Sequence, residues 1–159
     1  MKNKIKYLFL ILYIVMIGII FYFSLENSSK SSKESSTVTN EIIEVVEVVT
    51  NEKVILDYDT THYYVRKVIG HFGSFVLCSI FGLLCFYFFI LNKYKATLIS
   101  VTVGIIIAII AELLQLTSSG RSCEVKDMLI DYSGYLTGTI ISFLIILLIR
   151  KKQNKKSIE

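Results

Sequence analysis

The 159-residue chain is 53% hydrophobic, contains neither proline nor tryptophan, and has a formal net charge of +4. Its mean hydropathy of +0.62 is higher than an ordinary soluble domain of this size tolerates. Length, composition and charge therefore exclude a soluble globular protein and indicate a chain that has lipid as its solvent.

Four apolar runs are long enough to cross a bilayer, which takes about 20 helical residues. They predict transmembrane helices over 7–25, 65–91, 96–117 and 128–149. Backbone that faces lipid must satisfy its own hydrogen bonds, and the alternating strands of a β-barrel are missing, so helices are required. The absence of proline predicts straight helices rather than broken ones. The predicted fold class is an all-α membrane protein with a four-helix transmembrane bundle.

The distribution of charge predicts the orientation, because cytoplasmic segments carry an excess of Lys and Arg. Basic residues occur in the N-terminal segment 1–6, in the turn between the second and third helices, and in the tail 150–159. The loop 26–64 carries more acidic than basic residues. We therefore predict that both termini are cytoplasmic and that the loops 26–64 and 118–127 are extracellular. Topology accounts for the basic tail, so we predict no nucleic-acid partner.

The first extracellular loop contains two contrasting segments. Residues 27–36 are mostly Ser, Lys and other polar types, which predicts a flexible linker. Residues 41–50 repeat one acidic residue followed by two apolar ones, and this period of three fits a helix better than a strand. The pattern predicts a short amphipathic helix. It either covers the mouth of the bundle or only tethers two spans.

Ionisable residues within or beside the apolar runs are costly in lipid and persist where they pair or act. In the predicted topology, the start of helix two, the end of helix three and the start of helix four share the outer membrane face. Their polar side chains should form one cluster. The predicted ligand-binding residues are Arg66, Lys67, His71, Glu112, Gln115, Arg121, Asp127 and Asp131, and Lys126 is a further cation beside them.

Helical spacing places these groups on shared faces. Lys67 and His71 are four residues apart, as are Asp127 and Asp131, so each pair lies on one face of its helix. Small residues continue two of the faces and allow another helix to approach closely. The predicted helix-packing residues are Gly104, Ala108, Gly134 and Gly138.

The remaining chemistry-bearing residues predict no cofactor and no metal. Cys78, Cys85 and Cys123 lack the spacing of zinc ligands or of a redox motif, so they are interpreted as packing residues. Aromatic residues such as Tyr13 and Tyr22 are interpreted as lipid-facing or interfacial anchors rather than as a cofactor pocket.

An ordered set of motifs resembles the VanZ-like family, which is known from a teicoplanin-resistance protein. The motifs are Arg66-Lys67-x-x-x-His71-Phe72, Ala111-Glu112-x-x-Gln115, Gly120-Arg121 and Asp127-x-x-x-Asp131-x-x-Gly134-x-x-x-Gly138, after a first helix that ends in Phe23-Ser24. The family often has Asp-Glu where this chain has Ala111-Glu112, so a mechanism that needs two adjacent carboxylates is not supported here. The resemblance implies a multi-pass protein of the bacterial plasma membrane that is linked to glycopeptide resistance.

Three functions fit the polar cluster. In the first, its cations bind the anionic headgroup of a membrane lipid, a cell-wall lipid precursor or another glycopeptide-related ligand at the outer leaflet, while its carboxylates orient them. In the second, His71 acts with Glu112 or Asp127 as a general acid and base on a lipid-linked cell-wall precursor. In the third, the cluster only joins helices or partners. The sequence leaves open whether a reaction is catalysed and whether the chain is a homo-oligomer.

Overall fold

The computed structural model describes residues 2–50 and 57–156, and these residues form helices and no strand. The helices are α1 (Lys2–Leu25), α2 (Ser28–Thr50), α3 (Tyr58–Tyr64), α4 (Ser74–Ile90), α5 (Lys93–Gln115) and α6 (Val125–Lys156). A π-helical segment, Val65–Gly73, joins α3 to α4. Parts of the predicted outer loop (51–56) and of the basic tail (157–159) lie outside the described residues. The predicted all-α fold class is confirmed.

Four helical stretches within the described chain are long and apolar enough to cross a membrane. They are Lys4–Leu25, Tyr58–Ile90, Lys93–Gln115 and Val125–Lys151. Large apolar side chains such as Ile106, Leu113 and Ile140 remain exposed on their outer faces, as expected for contact with lipid. This chain is a multi-pass membrane protein.

Two helix boundaries differ from the prediction in a way that affects the site. α5 ends at Gln115 instead of 117 and α6 begins at Val125 instead of 128, so the connection between them spans 116–124. Asp127 thus lies in the first turn of α6 rather than in a loop. Hydropathy misses this turn because its residues are polar, although they are helical.

The second span, Tyr58–Ile90, is one continuous helical stretch, but its helical type changes along its length. Nine residues, Val65–Gly73, form a π-helix although the chain has no proline. Pi-helical turns insert an extra residue per turn and often occur at functional sites. The segment carries Lys67 and His71, so it sets the direction in which both side chains point.

The polar run 27–36 is not a linker, because α2 is helical from Ser28 onwards. Its hydroxyl groups donate to helix carbonyls: Ser35 Oγ lies 2.9 Å from the carbonyl oxygen of Ser31, and Thr39 Oγ1 lies 2.8 Å from that of Ser35. The side chain of Asn27 accepts from the backbone N–H of Lys30 and caps the helix. The predicted amphipathic helix 41–50 is the second half of this longer helix, which contacts α3 and the π-helical segment.

The core is centred on α4, which packs against α1, α5 and α6. Small residues lie where backbones approach closely. A Cβ atom at Gly134 would lie 3.1 Å from the carbonyl carbon of Phe72, and one at Gly138 would lie 3.0 Å from that of Val76. The predicted packing residues Gly104 and Ala108 lie at interfaces too: Gly104 faces the ring of Tyr135, and Ala108 is buried in the same cluster.

Tyr13 is not a lipid-facing anchor, because its side chain is only 5% exposed. Its hydroxyl group lies 3.0 Å from the hydroxyl of Tyr135, which is itself fully buried. A buried tyrosine needs a hydrogen-bond partner for its hydroxyl, and these two tyrosines supply one to each other. Tyr22 is exposed, as an interfacial side chain would be.

Candidate functional site

The eight predicted binding residues meet at one end of the bundle, which we call the site end. It is formed by the end of α1, the π-helical segment, the end of α5, the loop 116–124 and the start of α6. The residues brought together are Arg66, Lys67, His71, Glu112, Gln115, Arg121, Asp127 and Asp131. Their functional roles stay predictions.

One ion pair and one histidine–carboxylate hydrogen bond join the π-helical segment to α6. The ammonium group of Lys67 contacts the carboxylate of Asp127, and His71 Nδ1 lies 3.0 Å from Asp131 Oδ1. Lys67 and His71 are four residues apart, and so are their partners Asp127 and Asp131. The two contacts therefore lie one helical turn apart, with the two helices side by side. Because the backbones approach closely at Gly134, the short side chains of Asp127 and Asp131 can reach the π-helical segment.

Glu112 reaches the cluster from α5 and is completely buried. Its Oε1 accepts a hydrogen bond from Gln115 Nε2 at 2.5 Å, and its Oε2 accepts one from the backbone N–H of Glu124 at 3.1 Å. His71 Nδ1 lies 4.0 Å from Glu112 Oε1, and His71 Nε2 lies 4.0 Å from Asp127 Oδ2. Three carboxylates therefore surround one imidazole.

The loop 116–124 is fixed against the turn between α1 and α2. The backbone N–H of Ser28 donates to the carbonyl oxygen of Ser119 at 3.1 Å, and Ser118 Oγ donates to that of Ser24 at 3.3 Å. Gly120 has a φ of +73° and faces Ser28 Oγ, so a side chain here would be both strained and crowded. This geometry aims the next residue, Arg121, into the site.

Arg121 and Arg66 form the positively charged part of the site. Arg121 Nη1 donates to the carbonyl oxygens of Phe23 at 2.7 Å and Glu26 at 3.4 Å, and its buried Nε has no partner. Burial lowers the pKa of Arg121, and the nearby charge of Arg66 lowers it further, although a guanidinium stays charged at neutral pH. Across the described residues, neither arginine forms an ion pair with a carboxylate.

Two cavities adjoin these arginines. The first has a volume of about 300 Å³ and lies between α1, α2 and the π-helical segment, with mostly apolar walls that include Ile20 and Phe75. The second has a volume of about 280 Å³ and is more polar, and it lies against the loop 116–124. Arg66, Gln115 and Arg121 line both cavities and form the boundary between them.

Sequence reasoning missed one buried acid, and one of the cations that it named lies away from the two cavities. Glu26 was counted with the acids of the outer loop, yet it is only 7% exposed, pairs with Lys30, and has a buried Oε2 without a partner. Glu26 directly follows the apolar run that ends at Leu25, and this position could have indicated that it is buried. Lys126 is exposed and lines neither of the two cavities.

One set of donors has the arrangement of metal ligands. His71, Glu112 and Asp131 each offer one atom, and the three atoms lie within 4.8 Å of one another. The donors come from three separate helical segments. Spacing along the chain therefore carried no signal for this set.

A sequence model of the VanZ/LLP1 family matches residues 9–148, which include the site and nearly all of the four spans. The chain belongs to the VanZ/LLP1 family. Among curated proteins and solved structures, no match is found. Membership confirms the resemblance drawn from the motifs and makes this VanZ/LLP1 protein a VanZ-like membrane protein linked to glycopeptide resistance.

Proposed function

We propose that this VanZ/LLP1 protein binds the anionic headgroup of a cell-envelope lipid at the outer leaflet. One observation carries the proposal: Arg66 and Arg121 lie together at the boundary of two cavities without a carboxylate partner. Two like charges held close together destabilise one another, and an anion between them removes that repulsion. The guanidinium fork suits the oxygens of a phosphate or a carboxylate.

The carboxylates of the site leave these two arginines free for a ligand. Asp127 is taken by Lys67, Asp131 by His71, and Glu112 by Gln115 and a backbone N–H. The acids thus contact their own partners, and among the described residues they act on Arg121 only from beyond ion-pair distance. Arg121 is held by backbone carbonyl oxygens, which fix its direction but carry no full negative charge.

The two cavities suit an amphiphilic ligand. An apolar cavity and a polar cavity share a wall that contains both arginines, so a headgroup at that wall has apolar space on one side. A volume of about 300 Å³ is at the lower end for ligand pockets. It accommodates the first part of an acyl or isoprenoid chain, and the rest extends between helices or into the bilayer.

The charge distribution supports a site at the outer leaflet. Basic residues gather at the opposite end of the bundle, where Arg150 contacts the end of α4 by donating to Tyr87 Oη at 2.9 Å and to the carbonyl oxygen of Leu91 at 3.4 Å. Lys93 and Lys95 begin α5 at that same end. By the positive-inside rule we infer that this end is cytoplasmic and that the site end faces outwards.

A binding measurement tests the proposal. The protein is placed in phosphatidylcholine nanodiscs and titrated with farnesyl diphosphate, with phosphatidylglycerol as a second anionic lipid and with farnesol as the uncharged reference. Charge-assisted hydrogen bonds contribute about 1.5–3 kcal/mol, so Arg121→Ala should weaken binding of the anionic probes roughly 10- to 150-fold. Farnesol should bind weakly to both proteins.

The matched control is Arg150→Ala, because it removes the same charge at the other end of the bundle. This variant should keep the affinity of the parent chain. Resistance to teicoplanin in cells that express each variant gives a second readout. If Arg121→Ala and His71→Ala both leave headgroup binding and resistance unchanged, the proposal is wrong.

A second candidate function rests on the surroundings of His71. The imidazole contacts Asp131 and has Glu112 and Asp127 within 4.0 Å, an arrangement suited to proton transfer on a lipid-linked cell-wall precursor. Incubation of the purified protein with labelled precursors over a range of pH and metal ions tests it. Formation of a product that His71→Gln abolishes supports catalysis, and no product under any condition argues for binding alone.

A further inference from the structure

We propose that His71, Glu112 and Asp131 form a binding site for a divalent transition metal, either Zn²⁺ or Mn²⁺. The proposal goes beyond headgroup binding, because the metal alone is the ligand and neither arginine takes part. It also replaces our expectation from the sequence that the chain holds no metal.

The distances between the donor atoms fit one ion. His71 Nδ1 lies 3.0 Å from Asp131 Oδ1 and 4.0 Å from Glu112 Oε1, and all three donors fall within 4.8 Å. Metal–ligand bonds of about 2.0–2.2 Å place neighbouring ligands roughly 3–4 Å apart. The His71–Asp131 separation already lies in this range, and the other separations, of 4.0 Å and at most 4.8 Å, would have to shorten by up to about 1 Å when an ion binds.

The buried carboxylates of Glu112 and Asp131 would be stabilised by a bound cation. Glu112 is 0% exposed and Asp131 is 1% exposed, and within the described chain neither contacts a lysine or an arginine. Among the residues that the structure describes, the imidazole of His71 is the basic group within 4.0 Å of them, and Lys67 and Arg121 act on Asp131 and Glu112 from farther away. Buried carboxylates are stable when they are paired or bind a metal, and a divalent ion would neutralise both together.

The surrounding contacts resemble the outer partners that orient metal ligands. Gln115 and the backbone N–H of Glu124 fix the carboxylate of Glu112, and each carboxylate oxygen keeps a lone pair for a metal. When Nδ1 of His71 binds the ion, its Nε2 points toward Asp127, 4.0 Å away. Asp127 is in turn held by Lys67, so a carboxylate stands behind the imidazole, as is usual at metal sites.

The donor set indicates the class of ion. One imidazole nitrogen with two carboxylate oxygens suits Zn²⁺ or Mn²⁺ better than Mg²⁺ or Ca²⁺, which prefer oxygen ligands alone. His71 and Asp131 also line the apolar cavity. The coordination positions that the protein does not fill would face this cavity, where water completes the shell.

Metal titration of the full-length chain tests the proposal. The protein is purified in detergent without anionic lipid, stripped with a chelator and titrated separately with Zn²⁺, Mn²⁺ and Mg²⁺. Bound metal is counted by elemental analysis, and the thermal unfolding temperature is followed. We expect one Zn²⁺ or Mn²⁺ per chain and a rise in unfolding temperature, since a ligand of the folded state stabilises it. Mg²⁺ should bind at least 10-fold more weakly.

Isosteric variants locate the site. Asp131→Asn and Glu112→Gln should each weaken metal binding at least 10-fold, whereas His62→Gln, which changes the other histidine of the chain, should not. If a variant elutes as an aggregate in gel filtration, a measurement on the parent chain takes its place in the test. There, pulsed electron paramagnetic resonance of bound Mn²⁺ should detect coupling to an imidazole nitrogen. Absence of that coupling, no stoichiometric metal, or unchanged affinity in folded variants would overturn the proposal.

Discussion

The buried side chain of Tyr135 on α6 joins α6 to two other helices, α1 and α5. Its hydroxyl lies 3.0 Å from that of Tyr13 on α1 and 3.4 Å from Ser100 Oγ on α5, while its ring fills the space beside Gly104. Interhelical hydrogen bonds within membranes average about 0.6 kcal/mol and reach about 1.7. This one is fully buried, so its loss should fall in the upper part of that range.

Tyr135→Phe should therefore lower the free energy of unfolding by about 1–1.5 kcal/mol, because the ring stays and only the hydroxyl is lost. Reversible unfolding in mixed micelles measures the change. The control is Tyr94→Phe, since Tyr94 is exposed at the start of α5. In the double variant Tyr13→Phe with Tyr135→Phe, the two losses should not add, because both remove the same bond. Strict additivity would contradict the shared bond.

The polar residues of the site were predictable and their pairing was not. Ionisable groups stand out in apolar runs, and the topology puts them at one face. Spacing along one helix cannot tell that Lys67 pairs with Asp127, or that His71 meets Glu112 from α5, because both contacts depend on helix packing. Tyr135 was missed because a tyrosine in an apolar span also fits a membrane interface, although it follows Asp131 by four residues on the same face.

Between elements, the decisive contact is that of α6 with the π-helical segment. Gly134 faces the backbone of Phe72, and both the Lys67–Asp127 ion pair and the His71–Asp131 hydrogen bond depend on this close approach. Gly134→Ala should push the helices apart and cost about 1–3 kcal/mol of stability, as overpacking does. Affinity for the anionic probe should fall as well.

Gly18→Ala is the matched control for that change. A Cβ atom at Gly18 meets nothing within 4 Å, so the substitution adds a methyl group to a helix without crowding it. It should leave stability unchanged or raise it slightly, since alanine favours helix more than glycine does. If Gly134→Ala changed thermal unfolding and binding no more than Gly18→Ala does, the close approach of α6 would not matter for the site.

Sequence reasoning was accurate for the apolar helices and weak for the polar one. Hydropathy alone identifies the four long spans, since few other structures are stable in lipid. It failed for the first half of α2, where Ser and Thr hydroxyls bond back to helix carbonyls such as that of Ser31. It also failed for the π-helical segment Val65–Gly73, whose register against α6 is a property of the assembled bundle.

Across the whole molecule, the separation of charge predicts how the bundle lies in the membrane. The site end carries the acids and two arginines, and the opposite end carries Lys93, Lys95 and Arg150. If that opposite end is cytoplasmic, any ligand of the site comes from the outer leaflet. The orientation therefore decides between an envelope lipid and an intracellular anion, and it is open to a direct test.

The native cysteines provide that test. Cys78 and Cys85 are buried, whereas Cys123 lies partly exposed in the loop 116–124 beside the site. A membrane-impermeant maleimide added to intact cells should label the parent chain at Cys123, and Cys123→Ser should abolish the signal. In that background Lys93→Cys should react only after the cells are permeabilised. The reverse pattern would place the site in the cytoplasm, and headgroup binding at the outer leaflet would then be ruled out.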